Sequence, residues 1–381
     1  MTTIYLDHAA TTPVHPAVSA TYIQQLESVF GNPSSIHSYG REARKYLDVA
    51  RKTLAQSIHA EPSEIIFTSG GTEADNHAVF GTVAAMKDKG NHIITTAIEH
   101  HAVLNPCQQL ESLGYDVTYL DVDANGKISV EQVKQALTEQ TILVSIMYGN
   151  NEVGTIQPIR EIGDLLKDHQ AKFHTDAVQA YGLVPLNVHE LGVDLLSVSA
   201  HKLNGPKGIG FLYQRKGIDT NRLLFGGEQE RKRRAGTENI PAIVAFAEAV
   251  TIAGQVMEQN VESYRKYAAI LTDVFDEQDI TYEVNVSEQV EKLPHITNIS
   301  FPGTDIESLL VNLDMAGIAV SSGSACTAGS LDPSHVLTAM FGENSSKLRN
   351  SVRFSFGFGL DEKIMIEAAE TTAEIVKRLV K

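Results

Sequence analysis

Between about residues 60 and 215, short apolar runs alternate with stretches of helical spacing, and this alternation restricts the fold more than any other feature. Ile65-Ile66-Phe67, His92-Ile93-Ile94-Thr95, Val117-Thr118-Tyr119-Leu120, Ile142 to Ile146, Lys172-Phe173-His174-Thr175 and Leu195 to Val198 read as strands. Helical spacing fills most of the gaps, as in Asp164-Leu165-Leu166-Lys167 and in Gln132 to Leu137. Strands separated by helices run in the same direction, and a parallel sheet must be covered on both faces. After Pro241 an Ala-rich helical stretch continues to about Phe275, long enough to bridge two domains. Strand-like runs at 296–301, 317–320 and 352–356, then a final helix, predict a smaller α+β domain. A chain of 381 residues exceeds the usual size of one core. The expected division is a large domain over 16–255 and a small one built from 1–15 and 256–381, with the N-terminal strand joining the latter.

Composition narrows the function classes. A net charge of −16 argues against broad binding of nucleic acid or anionic membranes, since both need a basic surface. The basic run Glu230-Arg231-Lys232-Arg233-Arg234 reads in isolation as a solvated loop. The first residues, MTTIYLDHAATTP, lack the charged-then-apolar pattern of a secretion signal, and no run of 18 apolar residues occurs. Two cysteines, Cys107 and Cys326, suit a reduced cytoplasmic setting better than a disulfide framework. Neither CxxC nor HExxH spacing is present, which argues against a permanent zinc site.

Three stretches carry chemistry. Thr68-Ser69-Gly70-Gly71-Thr72-Glu73-Ala74-Asp75-Asn76 follows a strand and opens a helix, so its freed N–H groups suit a phosphate; a plain capping turn with Thr72 as cap fits equally. Asp176 stands at the end of an apolar strand, as an N-cap or as the partner of a cation. Lys202 follows 26 residues later, at the end of the next strand and ahead of Gly205, Gly208 and Gly210. One βαβ crossover takes about 30 residues, so both side chains emerge along one sheet edge. A phosphate cup, a strand-end Asp and a strand-end Lys together point to pyridoxal phosphate, which enzymes hold through a lysine with an Asp at the pyridinium nitrogen. Glu99-His100-His101 follows another strand and offers either capping histidines or an imidazole stacked on the cofactor ring and moving protons. Cys107, beside Pro106 after an apolar run, reads as an inert core thiol. Cys326, within Ser321-Ser322-Gly323-Ser324-Ala325-Cys326-Thr327-Ala328-Gly329-Ser330, reads as a thiol on a mobile loop.

The stretches YLDHAATTP, FGNPSSIH, TSGGTEADN, IEHHAVL, NNEVG, HTDAVQA, SAHKLNGPKGIGFLY, RAGTEN, SSGSACTAG and RFSFG resemble, in order from Tyr5 to Gly357, the NifS/IscS-type (group I) cysteine desulfurases. The resemblance implies an α/β chain of pyridoxal-phosphate fold-type I, with a mainly parallel seven-stranded sheet, helices on both faces and a smaller α+β domain. It implies that Lys202 bonds to the cofactor, Asp176 pairs with its ring nitrogen and His100 stacks on the ring. Asn151 and Gln179 would contact the ring hydroxyl, and Gly71, Thr72, Ser199 and His201 the phosphate. Thr237 would reach the phosphate of the other protomer, which implies a homodimer. Arg353, helped by Asn32, would grip the carboxylate of L-cysteine. Cys326 would take the sulfur as a persulfide, release alanine and pass the sulfur to an acceptor protein, for iron–sulfur assembly, tRNA thiolation or another pathway. Cys326 is also a candidate for ligating a cluster in passing, although one cysteine cannot build such a site alone. Transamination or selenocysteine cleavage would use the same cofactor residues, and a non-enzymatic sulfur carrier would need only Cys326.

Overall fold

The computed structural model describes residues 3–322 and 333–380. In chain order the strands are β1 (Ile4–Tyr5), β2 (Ile65–Thr68), β3 (His92–Thr96), β4 (Asp116–Leu120), β5 (Thr141–Ser145), β6 (Lys172–Asp176), β7 (Leu195–Ser199), β8 (Gly210–Gln214), β9 (Glu283–Val284), β10 (Ile296–Ser300), β11 (Ile318–Ala319) and β12 (Ser351–Ser355). The helices are α1 (Pro16–Ser28), α2 (Ser38–Gln56), α3 (Gly71–Met86), α4 (His101–Ser112), α5 (Val130–Ala136), α6 (Ile159–Leu166), α7 (Val188–Leu191), α8 (Ile240–Glu277), α9 (Ile306–Met315), α10 (His335–Phe341) and α11 (Glu362–Val380).

Seven strands form the central sheet in the order β2-β8-β7-β6-β5-β3-β4. The ladders from β7 through β6, β5 and β3 to β4 are parallel, while β8 runs antiparallel to both of its neighbours. Successive strand residues point to opposite faces. Ile66, Leu195 and Leu212 accordingly pack with Ala74 and Ala78 of α3, and Ile93 and Leu143 with Val79 of α3 and Val103 of α4. Their neighbours Ile65, Ile94, Val144, Leu196 and Phe211 join Leu47 of α2, Ile162 of α6 and Phe246 of α8 on the other face. Both faces are therefore covered, which is why the strands read as near-continuous apolar runs.

A second core gathers Ile4, Leu6, Leu271, Phe275, Ile299, Phe301, Phe354 and Met365 around the β12-β10-β9 sheet. The N-terminal strand belongs here, since β1 pairs in parallel with β11. Among the described residues α8 is the one helix long and apolar enough, by length and composition, to cross a membrane. Here it packs against α1, α2 and α11 and gives Phe246 to the first core and Phe275 to the second.

Candidate active site

Because β2, β3, β5, β6 and β7 all run the same way, their carboxyl ends lie along one edge of the sheet, where ligands of open α/β folds bind. A cavity of about 310 Å³ opens there. The turn after β2 contributes Gly71 and Thr72, the one after β3 contributes His100, and that after β5 contributes Met147, Gly149 and Asn151. From β6 come Asp176 and Gln179, and from β7 come Ser199, His201 and Lys202. Ala9 and Ala10 of the N-terminal segment and Arg353 of β12 close it from the side of the second core.

Lys202 Nζ donates to the carbonyls of Ala9 at 2.5 Å and Ala10 at 2.8 Å. Asp176 Oδ1 accepts the Val178 N–H at 2.8 Å, so the capping bond anticipated for this carboxylate exists, and the side chain lines the cavity as well. Burial raises the Asp176 pKa to about 6, while that bond and Lys202 act to lower it. A second carboxyl, Asp75, lines the same cavity with Oδ1 buried 3.6 Å from His174 Nε2; burial and the Asp176 charge push its pKa up, while Ser197 acts to lower it. Two neighbouring carboxyls without a full cationic partner resist ionising together, and a pyridinium N–H is the kind of donor they lack.

His100 caps α4: its Nδ1 accepts the Ala102 N–H at 3.1 Å, so the neutral ring carries its proton on Nε2. Burial and the nearby Lys202 charge lower its pKa to about 4. His201, tied through Nδ1 to Thr11 Oγ1 at 3.1 Å, is lowered to about 4 by burial and the same lysine. His101 turns elsewhere and faces His335, with ring centroids 4.9 Å apart.

At one end of the cavity Ser69, Gly70, Gly71, Thr72, Ser199 and His201 surround the start of α3. Gly70 is the N-cap, at φ 148°, and no side chain caps the helix; Thr72 lies inside the first turn rather than capping it. The first-turn N–H groups have no intrahelical acceptors and carry the positive end of the helix dipole, so they suit a phosphate. The cup is tight: a Cβ on Gly71 would come within 2.8 Å of Val178 Cγ2, and one on Gly210 within 2.4 Å of the Val198 carbonyl. An uncapped helix start, a lysine, paired carboxyls and a neutral imidazole in one cavity form a donor set that fits pyridoxal phosphate.

Arg353 is buried; it donates through Nη1 to the Asn151 carbonyl at 2.8 Å and through Nη2 to Asp7 Oδ1 at 2.7 Å. Its Nε is buried without a partner. Asn32 and Thr237 do not reach this cavity; both are exposed, and Asn32 Oδ1 accepts the Ser34 N–H at 2.9 Å. Cys326 lies outside the described residues. Cys107 is wholly buried in α4 with its pKa pushed up to about 12, mainly by burial. The roles of Asp7, Ala9, Asp75 and His295 were not assigned from sequence. The first three lie inside YLDHAATTP and TSGGTEADN, whose order in the chain was the one available signal.

The sequence profile of the class-V aminotransferases matches residues 4–363. A chain from Bacillus subtilis (strain 168), provisionally named cysteine desulfurase IscS 1, is 59% identical over 379 residues and covers 100% of both chains. The cysteine desulfurase IscS of Methanosarcina thermophila is 46% identical, covering 99% of this chain and 92% of its own. Among solved structures a NifS-like protein superposes with a TM-score of 0.92 at 34% identity, over 99% of this chain and 100% of its own. SspA in complex with cysteine gives 0.82 at 36% identity, over 92% and 98%. The chain belongs to the class-V aminotransferase family.

Proposed function

We propose that the protein is a cysteine desulfurase that uses pyridoxal phosphate to take sulfur from L-cysteine, releasing L-alanine and leaving a persulfide on Cys326 for an acceptor protein. The observation that carries this reading is the convergence of Lys202, Asp176, His100 and Arg353 on one cavity that ends at an uncapped helix start. The names of the relatives and the cysteine-bound neighbour support it. When bound, the cofactor supplies an electron sink that weakens bonds at the substrate α-carbon.

The protein's residues do the rest. The α3 start, with Gly71, Thr72, Ser199 and His201, holds the phosphate. Asp176 would hold a proton on the ring nitrogen, and His100, with Nε2–H available, would stack on the ring and move protons. Asn151 and Gln179 would contact the ring hydroxyl. Arg353, kept in place by Asp7 and the Asn151 carbonyl, presents its guanidinium to the substrate carboxylate. The Lys202 amine, which lines the cavity, would take and return the substrate α-proton. Cys326 as thiolate attacks the substrate sulfur; the carbon–sulfur bond breaks with its electron pair going to carbon, which takes up a proton.

A homodimer completes the site in this reading. The chain exposes large apolar side chains at Phe30 (76%), Ile36 (91%) and Phe225 (77%), and exposed apolar patches mark interfaces. Thr237 then serves the phosphate of the other protomer, and Asn32, exposed in this chain, assists the substrate carboxylate. The domain division at 15/16 and 255/256 is likewise our reading, supported by the two cores. So are the cytoplasmic setting, the absence of direct nucleic-acid or membrane binding, and any transient cluster ligation by Cys326. Lys202→Ala tests the cofactor assignment: it should fold but carry no borohydride-reducible visible chromophore. A variant that kept the full chromophore would place the covalent link elsewhere.

A further inference from the structure

Both ends of the Gln179 amide are committed, and this fixes its orientation. The Ala9 carbonyl lies 2.9 Å from Nε2, and a carbonyl only accepts, so the amide nitrogen must face it. Oε1 is thereby turned to His295, whose Nε2 is 3.2 Å away. An amide oxygen also only accepts, so His295 carries its proton on Nε2 and keeps a lone pair on Nδ1, which is buried without a partner. The ring is 4% exposed. Burial lowers its pKa to about 3, and the groups facing it, His8, Lys202 and Arg353, act in the same direction. His295 thus stays a neutral donor at any working pH.

We propose that His295 is a positioning residue that, together with the Ala9 carbonyl, holds the Gln179 amide so that an N–H, not a carbonyl, is presented to the cavity. The inference rests on the function proposed above, in which Gln179 meets the ring hydroxyl of the cofactor. An amide nitrogen has two N–H groups; one goes to Ala9, and the second is what Gln179 offers the cavity it lines. The Ala9 carbonyl holds the nitrogen end of the amide and the His295 donor its oxygen end; without that donor Oε1 would be buried and unpaired, a cost that offsets the Ala9 hydrogen bond and loosens the hold on the orientation. His295 also ties this orientation to the neighbouring sheet: its carbonyl accepts the Phe356 N–H at 2.8 Å, beside the β10-β12 ladder in which Asn298 pairs with Arg353.

A donor to the ring oxygen stabilises its anionic form and lowers the pH at which the visible band of the lysine-bound cofactor titrates. In the holoenzyme, His295→Leu is expected to raise that midpoint by about one pH unit, the size of one hydrogen bond to a charged group. His295→Gln, whose amide nitrogen falls near the place of Nε2, should return the midpoint close to the parent value. His295→Asn, whose donor falls near Nδ1 instead, should shift it as leucine does, and this comparison holds even where the leucine variant loses cofactor. An unchanged midpoint in the loaded leucine or asparagine variant, or a shift that glutamine leaves uncorrected, overturns the inference. A parent protein with no reducible visible band overturns instead the cofactor reading beneath it.

Discussion

Glu99 shows how much one residue beside the site holds in place. It is fully buried; Oε1 accepts from Thr96 Oγ1 at 2.8 Å and the Met147 N–H at 2.9 Å, while Oε2 has no partner. Burial pushes its pKa up to about 8, and the Asp176 charge adds to the rise. The sign follows from proton counting. Between the ordinary value near 4.5 and about 8 the folded chain holds one more proton than the unfolded chain, so raising the pH across that window removes stability. Glu99→Gln has no proton to lose. Its stability relative to the parent should be even near pH 4.5 and improve by up to about 1.4 kcal/mol per pH unit toward pH 8. Denaturation curves at several pH values, at equal cofactor loading, check this; a constant difference would mean that Glu99 is ionised in the fold. At this scale sequence reading reached Lys202 and Asp176 because each ends an apolar strand. Asp7, Ala9 and His295 were out of reach. Ala9 meets Lys202 across 193 residues of chain, and His295 meets Gln179 across 116, separations that no local pattern encodes.

Among elements, the segment after β8 departs most from expectation. The basic run reads as a solvated loop, yet Glu230 is buried and its carboxylate takes both Arg51 nitrogens, at 2.7 and 2.6 Å, together with the Phe67 N–H at 3.0 Å. Arg234 is tied to Glu73 of α3 at 2.7 Å. Glu230, Arg231 and Lys232 all adopt positive φ, 48°, 55° and 69°, a strained path for non-glycine residues that these contacts hold. Glu230→Gln should therefore cost about 3 kcal/mol by leaving Arg51 buried without its counter-charge. Lys232→Ala, which breaks only the exposed pair with Glu228, should cost well under 1 kcal/mol. Equal losses in chemical denaturation would contradict the anchoring role. Buried hydrogen bonds turned the run inward, and composition alone gives no sign of them. The same limit hid β8, whose five residues follow a glycine-rich turn, and β9, only two residues long. The six strands of the alternating region and the long α8 were legible, because periodicity and length mark them directly, whereas the pairing of the N-terminal strand with β11 was not.

In the whole molecule, two cores share α8, and the cavity lies where the edge of the large sheet meets the N-terminal segment and β12. In the proposed reading this arrangement would hold the cofactor on a rigid sheet, with Arg353 reaching the cavity from the other core. In the proposed reaction sulfur leaves L-cysteine for Cys326. Cys107 is the natural control: it packs with Val79, Val103 and Leu110, and a thiol whose pKa is near 12 forms almost no thiolate at neutral pH. The most direct measurement is to supply L-cysteine carrying labelled sulfur to the holoenzyme and to Cys326→Ala and Cys107→Ala, then map protein-bound persulfide and quantify alanine with a thiol acceptor present. The expected result is label on Cys326 and alanine release in the parent and in Cys107→Ala, with neither in Cys326→Ala although its visible chromophore persists. Label on Cys107, or normal alanine release from Cys326→Ala, would contradict it.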